Sequence, residues 1–101
     1  MTRILFILMS LINEYKAKKG LIRVRLRLSD DGRITWVRIT GDFFMYPEEA
    51  LLALERSLIG IKFSKDEVSR VVHEFFSSGV KVPFVTEEDF VEAIMGVHHE
   101  G

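Results

Sequence analysis

The sequence predicts an α+β domain, a three-stranded antiparallel sheet packed with about three helices. Strand-period alternation fills the first part of the chain and helix-period spacing the rest, with no β–α–β alternation between them. At 101 residues the chain can bury one modest core and has no room for a second.

The strands come first. LIRVRLRLSDDGRITWVRIT, residues 21–40, is two alternating segments joined by Ser29-Asp30-Asp31-Gly32, a hairpin pattern. With Asp31-Gly32 as the central turn residues, Leu28 faces Thr35, Leu26 faces Val37 and Val24 faces Ile39 on the core side. The other side then carries Arg23, Arg25, Arg27, Trp36, Arg38 and Thr40. Arg27 lies across from Trp36, where a cation–π contact can form, and Arg25 lies across from Arg38 in mutual repulsion. A two-stranded ribbon is marginal in water, so a third strand is expected at residues 13–18, ending at Lys19-Gly20.

Three helices follow. Pro47 suits a first helical position with Glu48 and Glu49 in the first turn; Leu51, Leu54 and Leu58 share a face, and Gly60 stops the helix. Ser64-Lys65-Asp66-Glu67 reads as a capping box ahead of Val68, Val71, Val72, Phe75 and Phe76. After the short apolar link VKVPFV, Thr86 opens a third helix whose stripe is Phe90, Ala93, Ile94 and Val97.

Composition removes several function classes. The absence of cysteine excludes disulfides, thiolate metal sites, cysteine nucleophiles and sulfur-carrier chemistry. A net charge of −1 gives no global pull on polyanions. The apolar run from Ile4 to Ile12 is too short to span a bilayer. It has the outline of a signal-peptide core without a small-x-small cleavage site; it reads first as a buried strand or helix, with an exposed partner-binding segment as the alternative. Met9 offers a second start, and residues 1–12 are set apart from a domain at 13–101.

Catalytic chemistry is hard to find. His73 lies beside its helix's apolar stripe, with no nucleophile nearby and no second histidine at a metal-binding offset. His98 and His99 offer two ligands where a zinc shell needs more, and are placed to complement a helix C-terminus. The carboxylates at 48–49, 66–67 and 87–89 all fall in first helical turns, where dipole and cap effects account for them. No glycine cluster forms a phosphate cradle. The arginine face has three readings: aliphatic stems covering Trp36 with wet heads, a dock for an acidic protein, or a platform for single-stranded nucleic acid.

One remaining stretch is unusual. In TGDFFMYPEEA, two phenylalanines follow Gly41-Asp42 where an extended segment hands over to a helix, and a strand sends successive side chains to opposite faces. Either one ring packs beneath the first helix and the other waits for a partner, or the chain bends at Gly41 and both rings are core.

Residues 15–60 resemble the small accessory domain of lipoate–protein ligases. The likeness lies in a lysine-bearing strand with Lys16 ending at Gly20, the hairpin, Gly41-Asp42-Phe43-Phe44, and a leucine helix closing on Leu58-x-Gly60. VPFVTEEDFVEAI, residues 82–94, is similar to the tail of archaeal two-component members. The resemblance implies an iron–sulfur scaffold (SufE/NifU-like) fold, without the cysteines on which sulfur chemistry depends. It also implies a non-catalytic subunit that forms a heterodimer with a catalytic lipoate–protein ligase subunit in the cytoplasm, and through it serves lipoyl-acceptor domains. Lipoate and ATP would be handled by that partner, with no cofactor, metal or catalytic residue on this chain alone and no membrane. Carried over by motif, Gly41 supplies a close backbone approach, Asp42 shapes the turn, and one of Phe43 and Phe44 anchors the partner. The alternatives are a small nucleic-acid-binding module using the Arg/Trp face, and a homodimer built on residues 4–12.

Overall fold

The computed structural model describes residues 10–99. Strands β1 (Leu11–Ala17), β2 (Gly20–Leu28) and β3 (Ile34–Asp42) are followed by helices α1 (Ala50–Leu58), α2 (Lys65–Ser77) and α3 (Glu87–Met95), and by a short strand β4 (His98–His99). The sheet is antiparallel throughout, in the order β3-β2-β1-β4.

This corrects the expected sheet of three strands. Past Gly96 the chain lays His98 and His99 beside Ile12 and Leu11, so the histidines lie in a fourth strand and not at a helix end. The reversal is held by Asn13, whose Nδ2 donates to the Ala93 carbonyl at 2.9 Å. Two residues have no readable period, which is why alternation did not reveal β4. The expected iron–sulfur scaffold fold is corrected as well, since the architecture found among the described residues, four strands with three helices, does not support it. Expectations for residues 1–9, including most of the apolar run, lie outside the described residues; its last two members, Leu11 and Ile12, begin β1.

The hairpin register is the expected one from Arg23↔Thr40 to Arg27↔Trp36. Beyond it a bulge leaves Leu28 opposite Ile34, not Thr35. Thr35 is the extra residue, and its Oγ1 donates to the Arg27 carbonyl at 3.2 Å. The turn is closed by Ser29 and Asp31, whose side chains bond each other. That hydroxyl contact is the main reason the Asp31 carboxyl is held below its ordinary pKa.

Core residues come from one face of the sheet and from all three helices. Ile22, Val24, Leu26, Val37 and Ile39 alternate inward from β2 and β3 and meet Leu54 and Leu58 of α1, Val68 and Val72 of α2, and Phe90 and Ile94 of α3. α1 lies on β3, α3 lies on β1 and β2, and α2 packs across both helices.

Helix starts differ in detail from the expectation. The cis Tyr46–Pro47 peptide precedes a tight i to i+3 turn over Pro47–Ala50, so α1 begins at Ala50 and its first turn has no acid. Ser64 caps α2 by accepting from the Glu67 amide, without the return bond; the reciprocal capping box is at Thr86 and Asp89. Tyr15 on β1 donates to Asp89 at 3.0 Å, joining sheet to α3, and this bond is the leading cause of its raised phenol pKa.

Candidate partner-binding site

Where β2 begins and β3 ends, two glycines let backbones approach beyond what side chains allow. A Cβ on Gly41 would sit 2.0 Å from the Leu21 carbonyl oxygen and 2.9 Å from the Phe43 ring; one on Gly20 would sit 2.7 Å from the Asp42 carbonyl oxygen. The chain therefore turns tightly out of β3 and carries Gly20, Gly41, Asp42, Phe43 and Phe44 into one corner.

The two phenylalanines divide there. Phe43 is half-buried and meets Phe90 of α3 edge-on, with ring centroids 5.6 Å apart. Phe90 in turn meets Phe76 of α2 at 5.7 Å, which ties the corner to the centre of the core. Its ring partner lies on α3, and Phe43 also lines a hollow together with Leu51 of α1. Phe44 stays 82% exposed.

A third segment completes the corner. Tyr46 and Lys81 exchange both backbone hydrogen bonds at 2.9 Å, pinning the loop ahead of α3 against the one ahead of α1. Tyr46 is 74% exposed and Phe84, in the pinned loop, 68%. Phe84 adopts φ 67°, a left-handed conformation that costs a side-chain-bearing residue about 1–2 kcal/mol. Lys19, in the β1–β2 turn, lies over its ring at 5.0 Å. Beside Phe44 is an open hollow of about 350 Å³ lined by Ile39, Gly41, Met45, Glu48 and Leu51.

Rigid strands thus present exposed aromatic rings from two loops, held by paired backbone bonds and a packed ring chain. Large exposed apolar groups in a fixed arrangement are the composition of a docking site. Among the described residues, no group of three or more His, Asp or Glu side chains could hold a metal ion. His73 is exposed and bonded to Glu87 at 3.0 Å, a link between α2 and α3.

Other sequence candidates lie elsewhere. Leu58 is fully buried, and Gly60, at φ 91°, donates to Ile34 at the opposite end of β3. Lys16 points out beside Leu21 on the sheet face opposite the helices, which also carries Arg23, Arg25, Arg27, Trp36 and Arg38. On that face the Arg27 guanidinium lies 4.8 Å from the Trp36 ring, and Arg23 pairs with Glu14 at 2.8 Å. Sequence reasoning did not single out Tyr46, Phe84 or Lys19. A signal existed: both aromatics sit next to prolines in aperiodic loops, where no core stripe accounts for them.

The class that this fold defines is a small α+β domain, and its exposed, braced aromatic corner has the composition of a docking surface. The family model described as bacterial lipoate protein ligase C-terminus matches residues 9–94. A curated relative, lipoate-protein ligase A subunit 2 of Thermoplasma acidophilum, is 45% identical over 80 residues, 79% of this chain and 82% of its own length. A solved structure of an archaeal lipoylation system, a bipartite lipoate protein ligase and its E2 lipoyl domain from Thermoplasma acidophilum, is similar as well. It matches with a TM-score of 0.78 and 40% identity, over 84% of this chain and 93% of the matched chain. The chain belongs to the lipoate protein ligase C-terminal family.

Proposed function

We propose that this chain is the accessory subunit of a two-component lipoate–protein ligase. It binds a catalytic subunit and is needed with it to activate lipoate with ATP before transfer to a lysine of an acceptor domain. Its similarity to a protein named subunit 2 of such a ligase supports the reading at the level of the whole chain. The observation that carries it physically is Phe44, a large apolar ring 82% exposed on an otherwise braced corner.

The aromatic corner grips the catalytic subunit and favours its closed form, acting through assembly and closure. Lipoate and ATP are held by the catalytic subunit. Among the described residues no helix is long and apolar enough to cross a membrane. The assembly works in the cytoplasm on this reading.

The test is to measure ATP- and lipoate-dependent adenylate formation by the catalytic subunit with and without this chain. A strong dependence on the chain is expected. Equal rates in the two mixtures overturn the proposal.

A further inference from the structure

The longer edge of the sheet is only partly closed. β3 pairs with β2 along one side, and among the described residues no strand lies on its other side. An edge of this kind offers backbone donors and acceptors to any extended segment that meets it, and a second copy of the same chain carries just such a segment.

One end of that edge is covered by the segment after α1. The Ile34 amide donates to the Ile61 carbonyl at 3.0 Å, the Gly60 amide donates to the Ile34 carbonyl at 2.7 Å, and Arg33 forms a bridge with Lys62. Beyond the bulge at Thr35 this backbone cover stops. The Ile39 amide also points out of the sheet, and its partner is a side chain: the Glu55 carboxylate of α1 accepts from it at 2.7 Å. Outward backbone groups recur at every second residue of an edge strand, so Val37 and Gly41 present theirs on either side of Ile39. Glu55 thus sits at the middle of the remaining open stretch. A glutamate on a helix surface ordinarily keeps its carboxylate in water, whereas this one is half-buried and is spent on a strand amide.

The flank of α1 around Glu55 is apolar. Leu52 and Ile59, three residues before and four after it, share its ridge on the helix, and both are exposed. The strand beneath is compatible with its own copy. Joined about a two-fold axis at Ile39, two chains set Val37 against Gly41 and Arg38 against Thr40, so no like charges face each other across the new strand pair. The two α1 helices then lie side by side on the same face of one continuous sheet, with the Leu52 and Ile59 ridges toward each other.

We propose that the open stretch of β3 is a self-association surface held shut by Glu55, whose carboxylate occupies the Ile39 amide that a second copy of this chain would take. Freed of that carboxylate, two copies join β3 to β3. The inference stands independently of the proposed function. It suits a chain whose working partner is a different polypeptide, because specificity then includes refusing its own copy.

Glu55→Ala tests it. Alanine suits a helix interior, and far-UV circular dichroism shows whether the fold is kept. In analytical ultracentrifugation the native chain should keep a single mass over a dilution series, while the alanine variant should climb toward twice that mass as concentration rises. In the dilute variant the Ile39 amide should exchange with deuterium about tenfold faster than in the native chain; in the concentrated variant the Val37, Ile39 and Gly41 amides should all become protected. Glu55→Gln keeps an oxygen that can accept the amide, and should behave as the native chain does. Equal masses for the native chain and Glu55→Ala at every concentration overturn the proposal. So does a dimer in which those three amides stay unprotected, which places the contact elsewhere, and so does association of Glu55→Gln as strong as that of Glu55→Ala, which assigns the effect to charge and not to the occupied amide. Glu55→Leu, equally unable to accept the bond, carries the same readings if the alanine variant does not fold.

Discussion

Phe44→Ala separates binding from folding. Fully desolvating a phenylalanine side chain is worth about 1.5–3 kcal/mol. Because the ring is 82% exposed in the free chain, nearly all of that remains to be gained on association. The expected loss is about 1.2–2.5 kcal/mol, an increase in Kd for the catalytic subunit of roughly eight- to seventyfold. The fold itself loses little buried area, under about 0.5 kcal/mol, which for a domain of this size moves Tm by no more than about 2–4 °C. Titration calorimetry or interferometry gives the first quantity and a thermal melt of the free chain the second. A matched control is Ile59→Ala: Ile59 is also exposed, but sits where Gly60 meets Ile34, roughly 26 Å of strand away from Asp42. That variant should leave Kd unchanged. If Phe44→Ala lowers Tm strongly while Kd holds, the ring serves the fold and the corner is not the dock; an equal effect of Ile59→Ala refutes the assignment of the interface to this end of the sheet.

Other perturbations report on the frame behind that ring. Gly41→Ala drives a methyl against the Leu21 carbonyl oxygen, 2.0 Å away, so the strands must part; a loss of about 2–4 kcal/mol in chemical denaturation is expected, and a neutral result shows that the approach is not strict. Phe90→Ala removes a fully buried ring that meets both Phe43 and Phe76, and should cost about 3–5 kcal/mol; a loss below about 1 kcal/mol contradicts its place at the core. Tyr15 has a phenol pKa raised above the ordinary value, chiefly by its bond to Asp89, so its contribution is complete below the unfolded pKa of 10.0 and lost as pH climbs through the raised folded value. Thermal melts across that alkaline window should fall more steeply for the native chain than for Tyr15→Phe, and parallel curves remove the bond from the account of stability.

Legibility followed periodicity. Alternation located the hairpin and its register down to Arg27↔Trp36, because a half-buried ribbon fixes which residues face inward. The bulge at Thr35 broke the count by one residue, and a bulge of that kind has no marker as plain as a turn glycine. The α2 and α3 stripes were readable because apolar residues recur at helical spacing just after clear N-caps, Ser64 and Thr86. The start of α1 was misplaced because Pro47 suits a turn as well as a first helical position. The site was half-visible. Gly41-Asp42-Phe43-Phe44 announced a sharp exit from a strand, but which ring turned inward depended on Phe90, 47 residues further on. Phe84 and Lys19 meet only in three dimensions, and no local pattern encodes a contact between a strand turn and a loop near the other end of the chain.

The corner also explains why a small chain can leave such rings exposed. A flexible aromatic loop would lose ordering entropy on binding, and that loss would offset much of the gain from desolvation. Here the ordering is done during folding: Tyr46 is locked to Lys81 by two backbone bonds, Phe43 is wedged on Phe90, and Phe84 is already held at φ 67° beneath Lys19. The strain at Phe84 is tolerated because the surrounding bonds determine its conformation. On the proposed function a catalytic subunit meets a surface whose geometry is set in advance, and anything that binds only the folded chain stabilises it by mass action. With added catalytic subunit the free chain's melting temperature should accordingly climb, and the climb should be smaller for Phe44→Ala than for the control Ile59→Ala.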